Sequence, residues 1–254
     1  MTELVRSEVR KLMTTQVWFW LLVGALALTA LGVVGTVLTD GSADDPGPGL
    51  VTAEGQRNLF AQSGSASVFV VVLAIIGITA EYRHLTVTPT YLATPRRSRV
   101  VLAKLVTYGL VGLVYSVLCA LLVVAMAKPW LAAKDIPLSL TENRIPLVLL
   151  AVIVAVAVYG IVGVGVGALV RNQVAAVVLT LSFLFVVEPL FANIPWVRDH
   201  VYKFLPGGAV AALTQSTQPN ATLLEPWQGG LLLAGYGVAF AVLAAMTTIR
   251  RDVT

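Results

Sequence analysis

Charged side chains are scarce in this chain of 254 residues. They make up 12% of it, well below the about 25% of ordinary soluble domains. Hydrophobic residues make up 57%. The charges lie between long apolar runs, and none of those runs contains an Asp, Glu, Lys, Arg or His. This pattern excludes an ordinary soluble domain and indicates an integral membrane protein.

The chain also lacks the groups on which several functions depend. It has no G-x-x-x-x-G-K-[ST] sequence, so we expect no P-loop ATP site. One cysteine, Cys119, and two histidines, His84 and His200, do not form a plausible zinc or nucleophile site. We therefore expect no catalytic residue, metal or cofactor in this chain. Uncharged apolar runs also disfavour a proton-driven pump, which depends on ionisable groups within the membrane.

Six apolar runs are present, and most reach the about 20 residues that a membrane helix needs. The first exceeds the roughly 7 to 15 residues of a cleavable signal core, so we interpret it as a retained helix. The sequence predicts an all-α polytopic membrane protein with one domain, 1–254, and six transmembrane helices. The runs are 17–39, 61–80, 105–127, 145–170, 174–187 and 229–249.

The basic residues predict the orientation, because Lys and Arg near helix ends stay on the cytoplasmic side. With both termini cytoplasmic, the inner face has a net charge of +7 and the outer face −3. The net charge of +4 is thus a topology signal and does not indicate nucleic-acid binding. Eleven of the 17 basic residues are then inside: Arg6, Arg10, Lys11, Arg83, Arg96, Arg97, Arg99, Lys104, Arg171, Arg250 and Arg251.

Segment 81–99, EYRHLTVTPTYLATPRRSR, is the most elaborate of the predicted cytoplasmic loops. In Thr88-Pro89 and Thr94-Pro95 the threonine suits a helix N-cap and the proline the first helical position, so two short helices are predicted. Apolar residues rimmed by charges of both signs indicate a surface that docks another protein. The alternative is that the arginines only obey the positive-inside rule and bind lipid headgroups.

Segment 188–228, on the predicted outer side, is long and partly apolar. Val197, Val201 and Phe204 have the spacing of one helix face, with Pro195 in its first turn and Pro206 at its end. We expect a short helix at the outer membrane surface; the alternative is an ordinary surface loop. Helix rise puts Glu188 close to that surface, where we interpret it as an interfacial carboxylate.

Small and polar residues recur within the runs. Gly163 and Gly167 form G-x-x-x-G, with Gly160 one turn earlier, and favour close helix packing within the chain over a dimer contact. Polar residues at the start of the second run either line a polar cleft near the outer leaflet or lie among lipid headgroups. They are Gln62, Ser63, Ser65 and Ser67.

Three stretches resemble ABC-2 type permeases, especially those of high-GC Gram-positive bacteria. They are GITAEYRHLTVTPTYLATPRRSRVVLAKL, the N-terminal LVRSEVRKLMTTQVWFW, and GVGVGALVRNQVAAVVLTLSFLFVVEP. With six predicted helices and two cytoplasmic ends, the resemblance covers most of the chain. It implies an ABC-2 (type V exporter-like) permease fold and a place in the cell membrane, the inner membrane of a bacterium.

The resemblance implies a half-transporter. Two such subunits pair as a homodimer or heterodimer, and each docks a separate cytoplasmic ATPase that binds ATP and Mg. The expected function is the membrane-spanning subunit of an exporter, in contact with membrane lipid and not with nucleic acid. The alternative is a stand-alone channel, or an immunity or scaffold protein without an ATPase. The substrate is not implied by any motif.

Particular segments also take roles from the resemblance. Residues 1–16 match an amphipathic helix on the inner surface. Segment 81–99 matches the coupling segment that docks the ATPase, with Glu81, Tyr82, Arg83, His84, Leu85, Thr94, Pro95, Arg96 and Arg97 as docking residues. Segment 188–228 matches short external helices that close the exit, with Glu188, Pro189, Trp196, Val197, Val201 and Phe204 as gate residues.

Overall fold

The computed structural model describes residues 1–41, 49–83, 97–138, 140, 143–216 and 222–250. Within these ranges the regular structure is helical and includes no β-strand. The α-helices are α1 Thr2–Met13, α2 Val17–Thr39, α3 Ala53–Ala61, α4 Ala66–Arg83, α5 Arg97–Ala133, α6 Ile145–Val170, α7 Gln173–Ser182, α8 Glu188–Asn193, α9 Pro195–His200, α10 Pro206–Thr214 and α11 Pro226–Arg250.

Three tighter or wider turns connect some of these helices. A 3₁₀ turn, Gln62–Ser65, joins α3 to α4, and a π turn, Phe183–Val187, joins α7 to α8. A second 3₁₀ turn, Tyr202–Phe204, lies between α9 and α10. Helices α3 and α4, and likewise α7 and α8, therefore form longer continuous segments.

Six helical segments are long and apolar enough to cross a membrane, so the described residues confirm the predicted all-α, six-helix membrane protein. The segments are Val17–Thr39, Ala53–Arg83, Ser98–Ala133, Ile145–Val170, Gln173–Asn193 and Pro226–Met246. Several extend beyond the apolar runs of the sequence. Beyond the runs, these longer segments include charged residues such as Glu81, Lys104 and Glu188.

Local sequence explains where several helices begin. The Thr52 hydroxyl accepts a hydrogen bond of 3.0 Å from the Gly55 amide at the start of α3. Asn172 accepts one of the same length from the Ala175 amide at the start of α7. Both are the N-cap bonds that Thr and Asn side chains provide. The first turns of α8, α9 and α10 each contain a proline, which fits there because these positions need no N–H donor.

Helix α6 lies at the centre of the bundle, in contact with α4, α5 and α11. Glycines allow this approach. A Cβ atom on Gly163 would lie 2.6 Å from the carbonyl oxygen of Val71 in α4, and one on Gly167 would collide with Ile78. The G-x-x-x-G sequence thus packs against a helix of the same chain, as predicted.

Helix α2 lies at the edge of the bundle, against α4 and α5. Its buried side chains follow one stripe at every fourth position: Ala25, Thr29, Val33 and Val37. Its other faces expose large apolar residues such as Trp20 and Leu31. Exposed apolar surface on a helix of this length fits contact with lipid.

Candidate functional site

Four charged side chains meet where α1 contacts the end of α4 and the start of α5. Lys104 Nζ lies 2.6 Å from Glu8 Oε2 and 2.8 Å from Glu81 Oε1. Lys11 Nζ lies 2.7 Å from Glu8 Oε1 and 2.8 Å from Glu81 Oε1. We call these four residues the junction cluster. It joins three helices through alternating positive and negative charges.

Most of the junction cluster is shielded from solvent. The side chain of Lys104 is 4% exposed, that of Glu8 6% and that of Glu81 12%, whereas Lys11 is 47% exposed. A buried charge is tolerated when an opposite charge and hydrogen bonds compensate for its lost hydration. Two ammonium groups and two carboxylates meet this need, and Lys11 keeps one side of the cluster in contact with solvent.

Electrostatics in the cluster outweigh burial for the two groups on α1. Burial by itself acts to raise the pKa of Glu8, but Lys104 and Lys11 hold that pKa below its ordinary value. Burial of Lys11 acts to lower its pKa, but hydrogen bonds to Glu8 and Glu81 raise it. Both groups therefore remain charged at neutral pH.

The junction cluster lies at both ends of segment 81–99. Glu81 is its first residue, and Lys104 follows its last by five positions. Both flanks are therefore bound to α1, which spans Thr2–Met13 within the predicted helix 1–16. The middle of the segment lies outside the described residues, including both Thr-Pro pairs and the candidates His84, Leu85, Thr94, Pro95 and Arg96. Of Arg97 the structure describes only that it begins α5.

The described docking candidates differ in their availability to a partner. Glu81 is bound within the junction cluster, and Tyr82 is partly buried, with the guanidinium carbon of Arg171 5.3 Å from its ring centroid. Arg83 is exposed at the end of α4. The carboxylate of Glu81 is therefore held within the fold, and Arg83 is the accessible charge. Docking by these three residues stays a prediction.

The polar residues at the start of the second span do not form one cleft. Ser63 is buried, and its hydroxyl donates to the Phe60 carbonyl. The Ser65 hydroxyl bonds to Thr29 of α2, and the side chain of Gln62 packs against the same helix. Ser67 lines a cavity of about 250 Å³, whose other polar lining residues are Tyr159, Tyr202, Thr214 and Ser216. Hydrogen bonds orient the hydroxyl groups of Ser63 and Ser65, and Gln62 contacts Gly32 of α2.

The single helix expected over residues 195–205 is also wrong. Helix α9 ends at His200, and Val201, with φ −111° and ψ −44°, leaves regular helix geometry. The helical spacing therefore does not continue to Phe204. Pro206 begins α10 instead of ending a helix, because a proline fits the first helical turn.

The apolar face expected at the external gate is largely exposed. Trp196 is 66% and Phe204 49% exposed, while Val197 and Val201 are half-buried. The most buried side chain in this stretch is Tyr202, at 5%, where burial and the nearby charge of Glu188 raise its pKa to about 12. Sequence spacing missed this residue, because it lies after the break in the helix.

The interpretation of Glu188 as an interfacial carboxylate stays a prediction, to which the structure adds that Glu188 is buried within the protein. It is 6% exposed, and its carboxylate accepts a hydrogen bond from the Gly207 amide in the first turn of α10. The fifth span continues through Glu188 and Pro189 to Asn193, and the bond to Gly207 joins it to α10. Glu188 therefore connects the fifth span to the external segment.

Sequence reasoning missed Glu8, Lys11 and Lys104 as members of one site. Lys104 had been assigned only to the inner positive charge, yet it stands among apolar residues in VVLAKLVTY, a signal that its side chain needs an acidic partner. Glu8 and Lys11 are three positions apart on α1 and therefore share a face. Neither pattern identifies the partner across 96 positions of sequence.

No protein-family model and no curated protein matches the chain. Within the described ranges, no three His, Cys, Asp or Glu side chains are grouped in a way that could hold a metal ion. The junction cluster and the region around Glu188 are therefore the two sites whose geometry bears on function.

Proposed function

We propose that the chain is the membrane-spanning subunit of an ATP-binding cassette exporter. In this proposal two permease subunits form the translocation pathway, and each is driven by a separate cytoplasmic ATPase. The chain itself is not an enzyme, and ATP and Mg bind to the partner. The resemblance of three stretches to ABC-2 permeases and the six membrane-spanning helices support this proposal.

The observation that carries the proposal is the junction cluster. A segment that transmits force from a partner has to be fixed to the membrane helices on both sides, since a loosely attached segment would move without moving them. Glu81 begins segment 81–99, Lys104 follows its end, and both are bound to the same helix, α1. A displacement of the segment by a partner would therefore move the second and third spans together.

The orientation in this proposal follows the charge distribution. The end of the bundle that carries α1, Arg83 and Arg171 is placed in the cytoplasm, in agreement with the positive-inside rule. The external segment and Glu188 then lie at the opposite end, where a closed exit would be.

Purification in a mild detergent tests the proposal. We expect the chain to elute with a nucleotide-binding subunit in equal amounts, and the mass of the complex to correspond to two copies of each. A chain that elutes without an ATPase from cells that synthesise one beside it, and that conducts ions or solutes unaided, would support the stand-alone channel instead.

A further inference from the structure

A cavity of about 350 Å³ lies between the fourth, fifth and sixth spans, and its walls are apolar and aromatic. Four rings line it, from Tyr159, Phe183, Tyr236 and Phe240. Its volume is in the range of pockets that hold small organic molecules. Because its walls come from membrane-spanning helices, a molecule dissolved in the membrane has a short path to it.

A buried carboxylate lies one residue away from the lining of this cavity. Glu188 bonds to the amide of Gly207, the residue after Pro206, which lines the cavity. The carboxylate and the cavity with its aromatic walls are therefore neighbours in the fold.

Glu188 has no cationic partner among the residues that the structure describes. Its hydrogen bond there comes from a backbone amide, and no Lys, Arg or His side chain forms an ion pair with it. The junction cluster shows the opposite arrangement, with each carboxylate matched by lysines. An ionisable side chain buried within a membrane span is costly, and it usually marks a functional site.

We propose that this cavity binds an organic cation with an apolar body, whose positive charge is balanced by Glu188. Aromatic rings attract cations through their negative faces, and a desolvated site strengthens that attraction. The apolar walls accept the rest of the molecule. That such a cation is exported cargo rests on the proposed function, whereas its binding does not.

Tetraphenylphosphonium and tetraphenylborate are suitable probes, because they share one shape and carry opposite charges. The purified chain in a neutral detergent, without any ATPase, is titrated with each, and binding is measured by equilibrium dialysis and by the rise in unfolding temperature. We expect the cation to bind more tightly than the anion. Equal binding of the two ions would overturn the proposal.

The Glu188→Gln variant tests the role of the charge. The glutamine carbonyl can still accept the Gly207 hydrogen bond, so the connection to α10 remains. We expect affinity for tetraphenylphosphonium to fall at least about tenfold, because a buried charge loses its partner. The control is Asp199→Asn, since Asp199 is exposed and paired with Arg198, and it should leave affinity unchanged.

Unchanged affinity in Glu188→Gln would show that Glu188 is not the counter-ion and would refute the site. If that variant does not fold, Val162→Phe fills the cavity with an apolar side chain and should weaken the cation to a similar degree. Because the assay contains no ATPase, failure to bind the cation leaves the proposed ATPase partnership standing.

Discussion

The side-chain nitrogen of Lys104 lies 2.6 Å from a carboxylate oxygen of Glu8, although 96 positions of sequence separate the two residues. Both side chains are almost fully buried. Their contact fixes the N-terminal helix to the third span, and Glu81 adds the second span to the same cluster. The two spans that flank segment 81–99 are thus held together by charge.

Removal of the central cation should destabilise the protein. Lys104→Gln leaves Glu8 and Glu81 with Lys11, which is 47% exposed, as their shared cation. Loss of one partner from a buried ion pair costs up to about 3–5 kcal/mol when no other partner remains, so we expect a loss below that range. The matched control is Lys134→Gln, since Lys134 is 38% exposed and lies 3.4 Å from Asp40, and such a pair contributes about 1 kcal/mol or less. Denaturation of the two purified variants measures the difference, and equal losses would contradict a buried cluster.

Acid should remove part of this stabilisation. The pKa of Glu8 in the folded protein lies below its ordinary value of 4.5. Its contribution is therefore complete above that pH and is lost as the pH falls through the folded-state pKa. We expect the unfolding midpoints of the wild type and Glu8→Gln to differ at neutral pH and to converge below pH 4.5. If the difference between the two unfolding midpoints does not depend on pH, the charge of Glu8 adds no stability.

Because α6 is closely packed, we expect alanine substitutions at two glycines, Gly163 and Gly235, to change stability differently. Gly163→Ala puts a methyl group 2.6 Å from the Val71 carbonyl oxygen, and such overpacking costs about 1–3 kcal/mol. Gly235→Ala in α11 is the control, because a Cβ atom there meets nothing within 4 Å and alanine favours a helix by about 1 kcal/mol. Thermal unfolding should therefore rank Gly163→Ala below the wild type and Gly235→Ala at or above it.

The external segment should have one protected position beside an accessible one. In a Cys119→Ser background, a cysteine at Tyr202 should react slowly with a membrane-impermeant maleimide, since that side chain is 5% exposed. A cysteine at the exposed neighbouring position His200 should react quickly. Similar rates at the two positions would show that residues 200–204 form a loose loop and would remove support for a closed exit.

The sequence predicted the features that depend on local composition and on the helical spacing of residues. Apolar length identified the six spans, and the spacing of Gly163 and Gly167 identified a close helix contact. Ion pairs between distant residues could not be predicted, because no local pattern in the sequence shows that Glu8 and Lys104 are partners. At Val201 a break in the backbone changed which side chains are buried, and helical spacing alone does not reveal such a break.

The prediction of docking residues is limited in the same way, because local sequence does not show which charges are already paired within the fold. Glu81 was a docking candidate because it is a charged residue of segment 81–99, but its carboxylate is already bonded to Lys11 and Lys104. Reversal of Glu81 would therefore disturb the fold as well as any partner. Arg83, exposed and two residues further along the chain, reports on docking alone.

ATP hydrolysis by the purified assembly tests the central claim most directly. We expect the wild-type chain to retain a nucleotide-binding subunit with MgATPase activity, and Arg83→Glu to lose most of that subunit, because a reversed charge at an interface weakens association. Lys128→Glu, an exposed reversal in α5, is the control and should retain it. Full retention of the ATPase by Arg83→Glu would contradict docking at segment 81–99, and absence of any ATPase from the wild-type preparation would contradict the exporter itself.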